Sequence, residues 1–320
     1  MTAAPAKRPL GKSGIEIAPL VFGGNVFGWT ADEVTSFSLL DAFMDEGFNA
    51  IDTAEAYSSW VPGHKGGESE TIIGGWLKRR GRRDDVVICT KVGWHQGDQP
   101  GLLRRANIIR GAEDSLKRLQ TDYIDLYQSH SDDAETPLEE TLGAYAKLIE
   151  QGKVRAIGCS NYSAARLKEA LEISASDGLP RYESVQPPYN LYQRQGFEAE
   201  LQPLVGAEQV GVISYYALAA GFFSGKYRSE ADKAKSARGA GMHRFMDARG
   251  FKILDAMDKI AAARGVPVAQ VAIAWIVAKP AITAPIASAT SLEQFADLAA
   301  AVRLELSAEE MRALDEASAY

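Results

Sequence analysis

Eight short apolar runs, rich in β-branched residues, recur along the chain. They are "PLVFGG" from Pro19, "FNAIDTA" from Phe48, "DVVICTKVG" from Asp85, "DYIDLYQSH" from Asp122, "KVRAIGCSN" from Lys153, "SVQPPYN" from Ser184, "VGVISYY" from Val210 and "AITAPIAS" from Ala281. Near-continuous apolar character predicts strands buried on both faces, as in a parallel sheet. Between them, apolar residues fall at helical spacing. "DEVTSFSLLDAFMDEG" begins with Asp32, a good helix cap, and "ESETIIGGWLKRRG", "ANIIRGAEDSLKRL", "PLEETLGAYAKLIEQG" and "SAARLKEALEIS" read as further amphipathic helices.

Eight strand–helix units predict an α/β chain closed into a (β/α)₈ TIM barrel, one domain over residues 1–320. Ahead of the first unit, "RPLGKSGIEIAPL" reads as an N-terminal β-hairpin turning at Lys12-Ser13-Gly14 and plugging the barrel bottom. Extended loops are expected at the C-terminal face, the longest from Lys226 to Gly250 after the seventh strand. "VPVAQVAIAWIVAKPAITAPIASA", from Val266, is apolar enough to resemble a membrane span. Three prolines and Lys279 interrupt it, so a buried helix, a stop at Pro280 and a strand are predicted instead.

The 320 residues, 46% apolar and 24% charged, have the balance of an ordinary globular protein. A net charge of −7 argues against a nucleic-acid partner. The basic run "KRRGRR" (Lys78 to Arg83) is read as a solvated helix end, where cations complement the helix dipole. The two cysteines, Cys89 and Cys159, fall within apolar strands and are expected to be reduced core residues. "MTAAPAKRPLGKSG" lacks the apolar run of a signal peptide, and a cytoplasmic protein with no membrane partner is expected.

In such barrels chemistry gathers at the carboxyl ends of the strands. There the chain places Asp52, with Tyr57 in the loop after it, then Lys91, His130, Ser160 with Asn161, and Tyr215 with Tyr216; Gln186 is taken to begin the sixth strand. Singly, such an Asp caps a helix, such a Lys reaches solvent and such a His sits in a core. Their coincidence on one rim points to proton transfer. A phenol titrates near ~10, too high for ready exchange at neutral pH. A neighbouring ammonium lowers that value, and a carboxylate holds the ammonium in place. Asp52 positioning Lys91, Lys91 tuning Tyr57 and His130 orienting a carbonyl would make Tyr57 a general acid.

With these residues and the ordered pieces "IDTAEAY", "GESETIIG", "TKVG", "QSH", "GKVRAIGCSNY", "VQPPYN" and "GFFSGKY", the chain resembles an aldo-keto reductase over nearly its full length. The resemblance implies a catalytic tetrad of Asp52, Tyr57, Lys91 and His130. It implies reduction of aldehydes or ketones to alcohols by hydride from a nicotinamide cofactor, which Ser160, Asn161 and Gln186 would hold with its ring on Tyr215. Leu218, Gly221, Gly225 and Lys226 would follow the rest of the cofactor. An extended dinucleotide on the rim accounts for the lack of a Gly-x-Gly-x-x-Gly fingerprint; "GAGMHR" (Gly239 to Arg244) follows no strand, and "GFFSGKY" has the wrong spacing for a phosphate loop.

Departures from the family pattern cluster at two places. Tyr216 and Ala217 stand where Ser and Pro are usual, and Ser288, Gln294 and Leu298 stand where Lys or Arg, another cation and Asn are usual. Ser288, Thr290 and Ser291 either bind a 2′-phosphate with exposed helix amides or merely cap the helix. NADP(H) is favoured by the resemblance, and NAD(H) stays open. The expected partner is a small-molecule carbonyl or alcohol; the oligomeric state is open. Trp29, Trp60 and Trp94 follow the first three strands and either wall a substrate pocket or pack loops. Residues 58–67, "SSWVPGHKGG", are a candidate lid.

Three other functions compete with the reductase. A nicotinamide-binding sensor or regulatory subunit with slow turnover would share the same motifs. A Schiff-base enzyme would use Lys91 as nucleophile. A metal hydrolase is disfavoured because no metal is implied: His64, His95 and His243 lack ligand spacing.

Overall fold

The computed structural model describes residues 4–94, 102–235 and 239–320; His95 lies outside them. The chain opens with β1 (Arg8–Pro9) and β2 (Glu16–Ile17), an antiparallel hairpin. The Leu10 amide donates to the Ile15 carbonyl at 2.8 Å, and the Ser13 hydroxyl donates to the Leu10 carbonyl at 2.6 Å. Eight parallel strands follow: β3 (Val21–Gly23), β4 (Ala50–Asp52), β5 (Val87–Val92), β6 (Ile124–Ser129), β7 (Val154–Ser160), β8 (Tyr182–Gln186), β9 (Gly211–Ser214) and β10 (Ala284–Ala287). They lie in chain order around a closed barrel, β10 pairing with both β3 and β9.

Ten helices surround the barrel among the described residues: α1 (Glu33–Asp45), α2 (Glu68–Arg80), α3 (Arg105–Leu119), α4 (Leu138–Glu150), α5 (Ala164–Asp177), α6 (Gln202–Glu208), α7 (Ala248–Arg264), α8 (Val268–Val277), α9 (Leu292–Val302) and α10 (Ala308–Ala317). Asp32 caps α1 as expected, accepting the Thr35 amide at 2.8 Å. No single helix among the described residues is long and apolar enough to cross a membrane.

The strands' two faces carry different cores. Outward residues such as Phe22, Ile51, Ile88 and Tyr127 meet the helices. Inward residues form a smaller apolar cluster, in which Leu10, Ile15 and Ile17 of the hairpin meet Val21, Ala50, Val87, Cys89, Leu126 and Ile213. The hairpin therefore closes the barrel bottom. Gly211 makes the fit possible, since a Cβ there would stand 2.7 Å from the Leu10 side chain. Above this plug the inward positions turn polar, with Asp52, Lys91, Gln128 and Gln186 all buried.

Three expectations need correction. Gln186 ends β8 rather than beginning it, so it reaches the rim as Asp52 does. Regular pairing in β9 stops at Ser214; Tyr215 makes only an isolated bridge to Pro188. The segment after β9 is not open loop as far as Gly250: it holds 3₁₀ turns at Glu230–Lys235 and Gly239–Arg244, and α7 begins at Ala248. Gly250 lies inside that helix because a Cβ there would fall 1.8 Å from the Phe245 carbonyl oxygen. As expected, "KRRGRR" ends α2 as a solvated stretch, with Lys78, Arg79 and Arg82 exposed and Gly81 as a left-handed cap; Arg79 pairs with Asp41, Arg80 with Asp85, and Arg83 with buried Asp125. Cys89 and Cys159 are free and buried, as expected.

The helix pair α2–α3 touches backbone to backbone. A Cβ on Gly74 would lie 2.1 Å from the Arg118 carbonyl oxygen, whereas one on adjacent Gly75 would meet only the Phe37 ring at 3.3 Å. Gly74→Ala is expected to destabilise the protein by about 1–3 kcal/mol in urea unfolding. Gly75→Ala is expected to be neutral or to stabilise by up to ~1 kcal/mol through helix propensity.

Candidate active site

Three neighbouring strand ends bring the proposed tetrad together. β4 delivers Asp52 and β5 delivers Lys91, both buried at 1% and 0% exposure. The Lys91 ammonium uses its three donors fully: to Asp52 Oδ2 at 2.6 Å, to the Thr53 carbonyl at 2.8 Å and to the Tyr57 hydroxyl at 3.0 Å. The Tyr57 hydroxyl donates to Asp52 Oδ2 at 3.1 Å. Tyr57 reaches this point because the chain turns directly after β4, its amide bonding to the Ala54 carbonyl. His130 follows β6, its amide on the Val92 carbonyl at 2.8 Å and its ring 6.0 Å from that of Tyr57.

The electrostatics differ from the sequence expectation in one respect. Tyr57 is held well above the ordinary phenol value, first by burial and then by the Asp52 carboxylate it faces. Burial and the Asp52 carboxylate together outweigh the Lys91 ammonium, although Lys91 donates to the phenol oxygen at 3.0 Å. Burial also holds Lys91 below its ordinary value, with Asp52 opposing the fall. His130 is pushed well below the ordinary imidazole range by burial and by Lys91. The site thus keeps a protonated phenol beside a neutral imidazole. His130 Nδ1 is buried without a partner, so the imidazole proton belongs on Nε2.

A cavity of about 670 Å³ opens above these groups. Asp52, Tyr57 and His130 line one part of it, and Ser160, Asn161, Gln186 and Tyr215 line the wall beside them. Lys91 lies beneath, reaching the cavity through Tyr57. Leu218, Gly221 and Lys226 lie along a second wall, and Ser288, Thr290 and Gln294 on a third. Gly225 does not line it; it caps the Ala219–Ser224 turn in a left-handed conformation. Asn161, itself left-handed, donates to the His130 carbonyl at 2.9 Å and accepts the Tyr215 hydroxyl at 2.7 Å.

The hydroxyls before α9 divide between the two readings. Ser291 caps the helix by accepting the Gln294 amide at 3.3 Å. Ser288 instead donates to Asn25 at 2.7 Å, and Thr290 donates to Gln294 Oε1 at 3.1 Å, both on the cavity wall. Asn25 and Asp297 also line the cavity and escaped the sequence reading. Asn25 was findable, because it lies just past the first strand; Asp297 is brought in only by the packing of α9.

Two of the three tryptophans line the cavity. Trp94 sits 4.5 Å from the His130 ring and Trp60 6.1 Å from that of Tyr57, and both are exposed. Trp29 does not reach the cavity but backs Trp60 edge-on at 5.7 Å. The segment 58–67 is tied down, Ser58 donating to the Phe27 carbonyl at 2.7 Å and Glu68 accepting the Lys65 and Gly66 amides.

The cavity suits a dinucleotide in size and donor set. Tyr216, Ala220 and Gly221 line its second wall with buried Ala219 behind them, all four with positive φ (60°, 56°, 106° and 47°). Three of these are not glycine, so the turn stores backbone strain, while the Ala219 and Gly221 amides are spent within it on the Tyr216 and Leu218 carbonyls. Lys226, with the side-chain amide of Gln294, fits the anionic and ribose parts of such a molecule.

The family model described as Aldo/keto reductase family matches residues 19–319. The chain is 33% identical over 317 residues to "Uncharacterized oxidoreductase YrpG" of Bacillus subtilis (strain 168), covering 96% of this chain and 94% of that protein. It is 35% identical over 280 residues to "Aldo-keto reductase YhdN" of the same organism, covering 84% and 78%. It is 34% identical over 296 residues to "Probable voltage-gated potassium channel subunit beta" of Oryza sativa subsp. japonica, covering 90% and 88%. Matched along almost all of its length, and folded as a closed barrel with its acid, phenol, amine and imidazole converging at one mouth, the chain belongs to the aldo/keto reductase family of oxidoreductases.

Proposed function

We propose that the protein reduces aldehydes or ketones to alcohols with a nicotinamide cofactor, Tyr57 acting as the proton donor. The observation that carries this is the Tyr57 hydroxyl held between Lys91 at 3.0 Å and Asp52 at 3.1 Å at the cavity floor. When bound, the cofactor supplies hydride to the carbonyl carbon. Tyr57 protonates the carbonyl oxygen, and Lys91 stabilises the phenolate left behind. Asp52 holds Lys91 in register. His130, neutral and protonated on Nε2, donates to the carbonyl oxygen and orients it. Asn161, Gln186 and Ser160 would hold the nicotinamide end, with Tyr215 beneath the ring. Trp60 and Trp94 give the substrate an aromatic wall, which favours bulky or flat carbonyl compounds.

NADP(H) is the favoured cofactor, because Lys226 offers a cation on the cavity wall and Asp297 is already engaged by Gln270 at 3.0 Å. A second reading, a nicotinamide-binding regulatory subunit with slow turnover, draws on the resemblance to the rice channel subunit. Turnover separates the two.

Tyr57→Phe is expected to lower kcat for carbonyl reduction by about 10²–10⁴-fold while cofactor affinity, read by protein fluorescence, stays within about threefold. Unchanged turnover removes Tyr57 from the role; tight cofactor binding with no turnover in the parent protein across aldehydes, ketones and quinones selects the regulatory reading. In the same titration NADPH is expected to bind more tightly than NADH, with Lys226→Ala weakening NADPH by about tenfold and NADH less; equal weakening of both removes Lys226 from the phosphate site.

The reduction rate is expected to stay level through neutral pH, because His130 titrates well below 6.5 and Tyr57 well above 10.0. It then falls on the alkaline side at a pH below 10.5, as Lys91, lowered by burial, loses its proton before Tyr57 does. A bell with a limb near neutrality in the kcat profile contradicts this assignment.

A further inference from the structure

Beneath the tetrad, four inward residues lie side by side on adjacent strands. Lys91 pairs in register with Gln128, Gln128 with Gly158, and Gly158 with Ser184. Gln128 and Ser184 are completely buried. Gln186 Nε2 donates to Asp52 Oδ1 at 2.9 Å and to Gln128 Oε1 at 3.3 Å. Both acceptors are oxygens, so only one orientation of the Gln186 amide satisfies them, with both N–H groups turned inward.

That arrangement leaves Gln128 Nε2 and Ser184 Oγ buried without partners. They flank Gly158, where a Cβ would come within 2.3 Å of Ser184 Oγ and 3.2 Å of Gln128 Cγ. Buried polar groups are normally satisfied, and local frustration of this kind gathers where function imposes a geometry.

From this we infer that Gln128 is a positioning residue for the proton-donor site. It fixes the Gln186 amide, which fixes Asp52 Oδ1, which in turn sets Lys91 and Tyr57. The inference rests on the proposed reductase reading for its kinetic consequence, though not for its geometry.

Gln128→Met is the test, because it keeps the length of the side chain and removes both its acceptor and its unpaired donor. The expected result is a fall in kcat of about tenfold or more with substrate KM within about twofold, a shifted alkaline limb in the kcat profile, and no loss of thermal stability. Gln128→Glu, which restores an acceptor for Gln186, is expected to recover part of kcat. Ser184→Ala, which removes only the unpaired hydroxyl, is expected to leave kcat unchanged. A Gln128→Met enzyme with parental kcat and alkaline limb overturns the inference, as does one that loses stability with kcat unchanged. A crystal structure of Gln128→Met decides the geometry without turnover: Gln186 displaced from Asp52 supports the inference, and Gln186 unmoved overturns it. Absence of turnover in the parent protein would count against the reductase reading alone.

Discussion

Lys91 and Asp52 are taken out of water together. Removing a carboxylate or an ammonium from solvent costs of the order of several kcal/mol per ion even after relaxation. The structure offsets this by leaving no donor of the ammonium unused: Asp52, Thr53 and Tyr57 each take one. The carboxylate is likewise saturated, Oδ2 by Lys91 and Tyr57 and Oδ1 by Gln186. Such complete pairing needs groups from β4, β5 and β8 at one point, which a closed barrel supplies and an open sheet of the same strands would not. The N-terminal hairpin contributes from below, filling the barrel floor with Leu10, Ile15 and Ile17.

The pair also shapes what its neighbours can do. Burial first, and then the Asp52 carboxylate, outweigh the Lys91 ammonium at the phenol and keep Tyr57 protonated. The same burial, with Lys91 close by, keeps His130 neutral. Both effects leave protons on the groups that face the cavity, which is the state that the proposed reduction requires. The opposite direction, alcohol oxidation, would require the phenolate and so would be favoured by high pH.

Strand and helix types were legible because burial on both faces of a parallel strand leaves a continuous apolar run, while a helix against the barrel leaves a periodic one. Boundaries were less so. Gly250 reads as a breaker, yet it lies within α7 because the Phe245 carbonyl passes too close for any side chain. Gln186 is taken from the sequence as a strand start, yet the pairing with β7 ends on it, Ser160 opposite. Both misses come from backbone contacts that exist only in the folded chain.

By itself the sequence determined the order of strands and helices, the closed barrel that this order implies, and the polar residues standing at the strand ends. These follow from local hydrophobic period and from residue chemistry, which any stretch of chain carries with it. Only the tertiary structure decided how those residues act on one another. It buried Tyr57 and set it against Asp52 as well as Lys91, so that the phenol rises rather than falls. It assigned Ser291 to the helix cap and Ser288 to the cavity wall, and it set Trp29 behind Trp60 instead of beside it. It also brought Gln128 under Gln186, a contact between strands 58 residues apart. Charge coupling and hydrogen-bond direction depend on distances of a few ångströms, and those exist only once the barrel has closed.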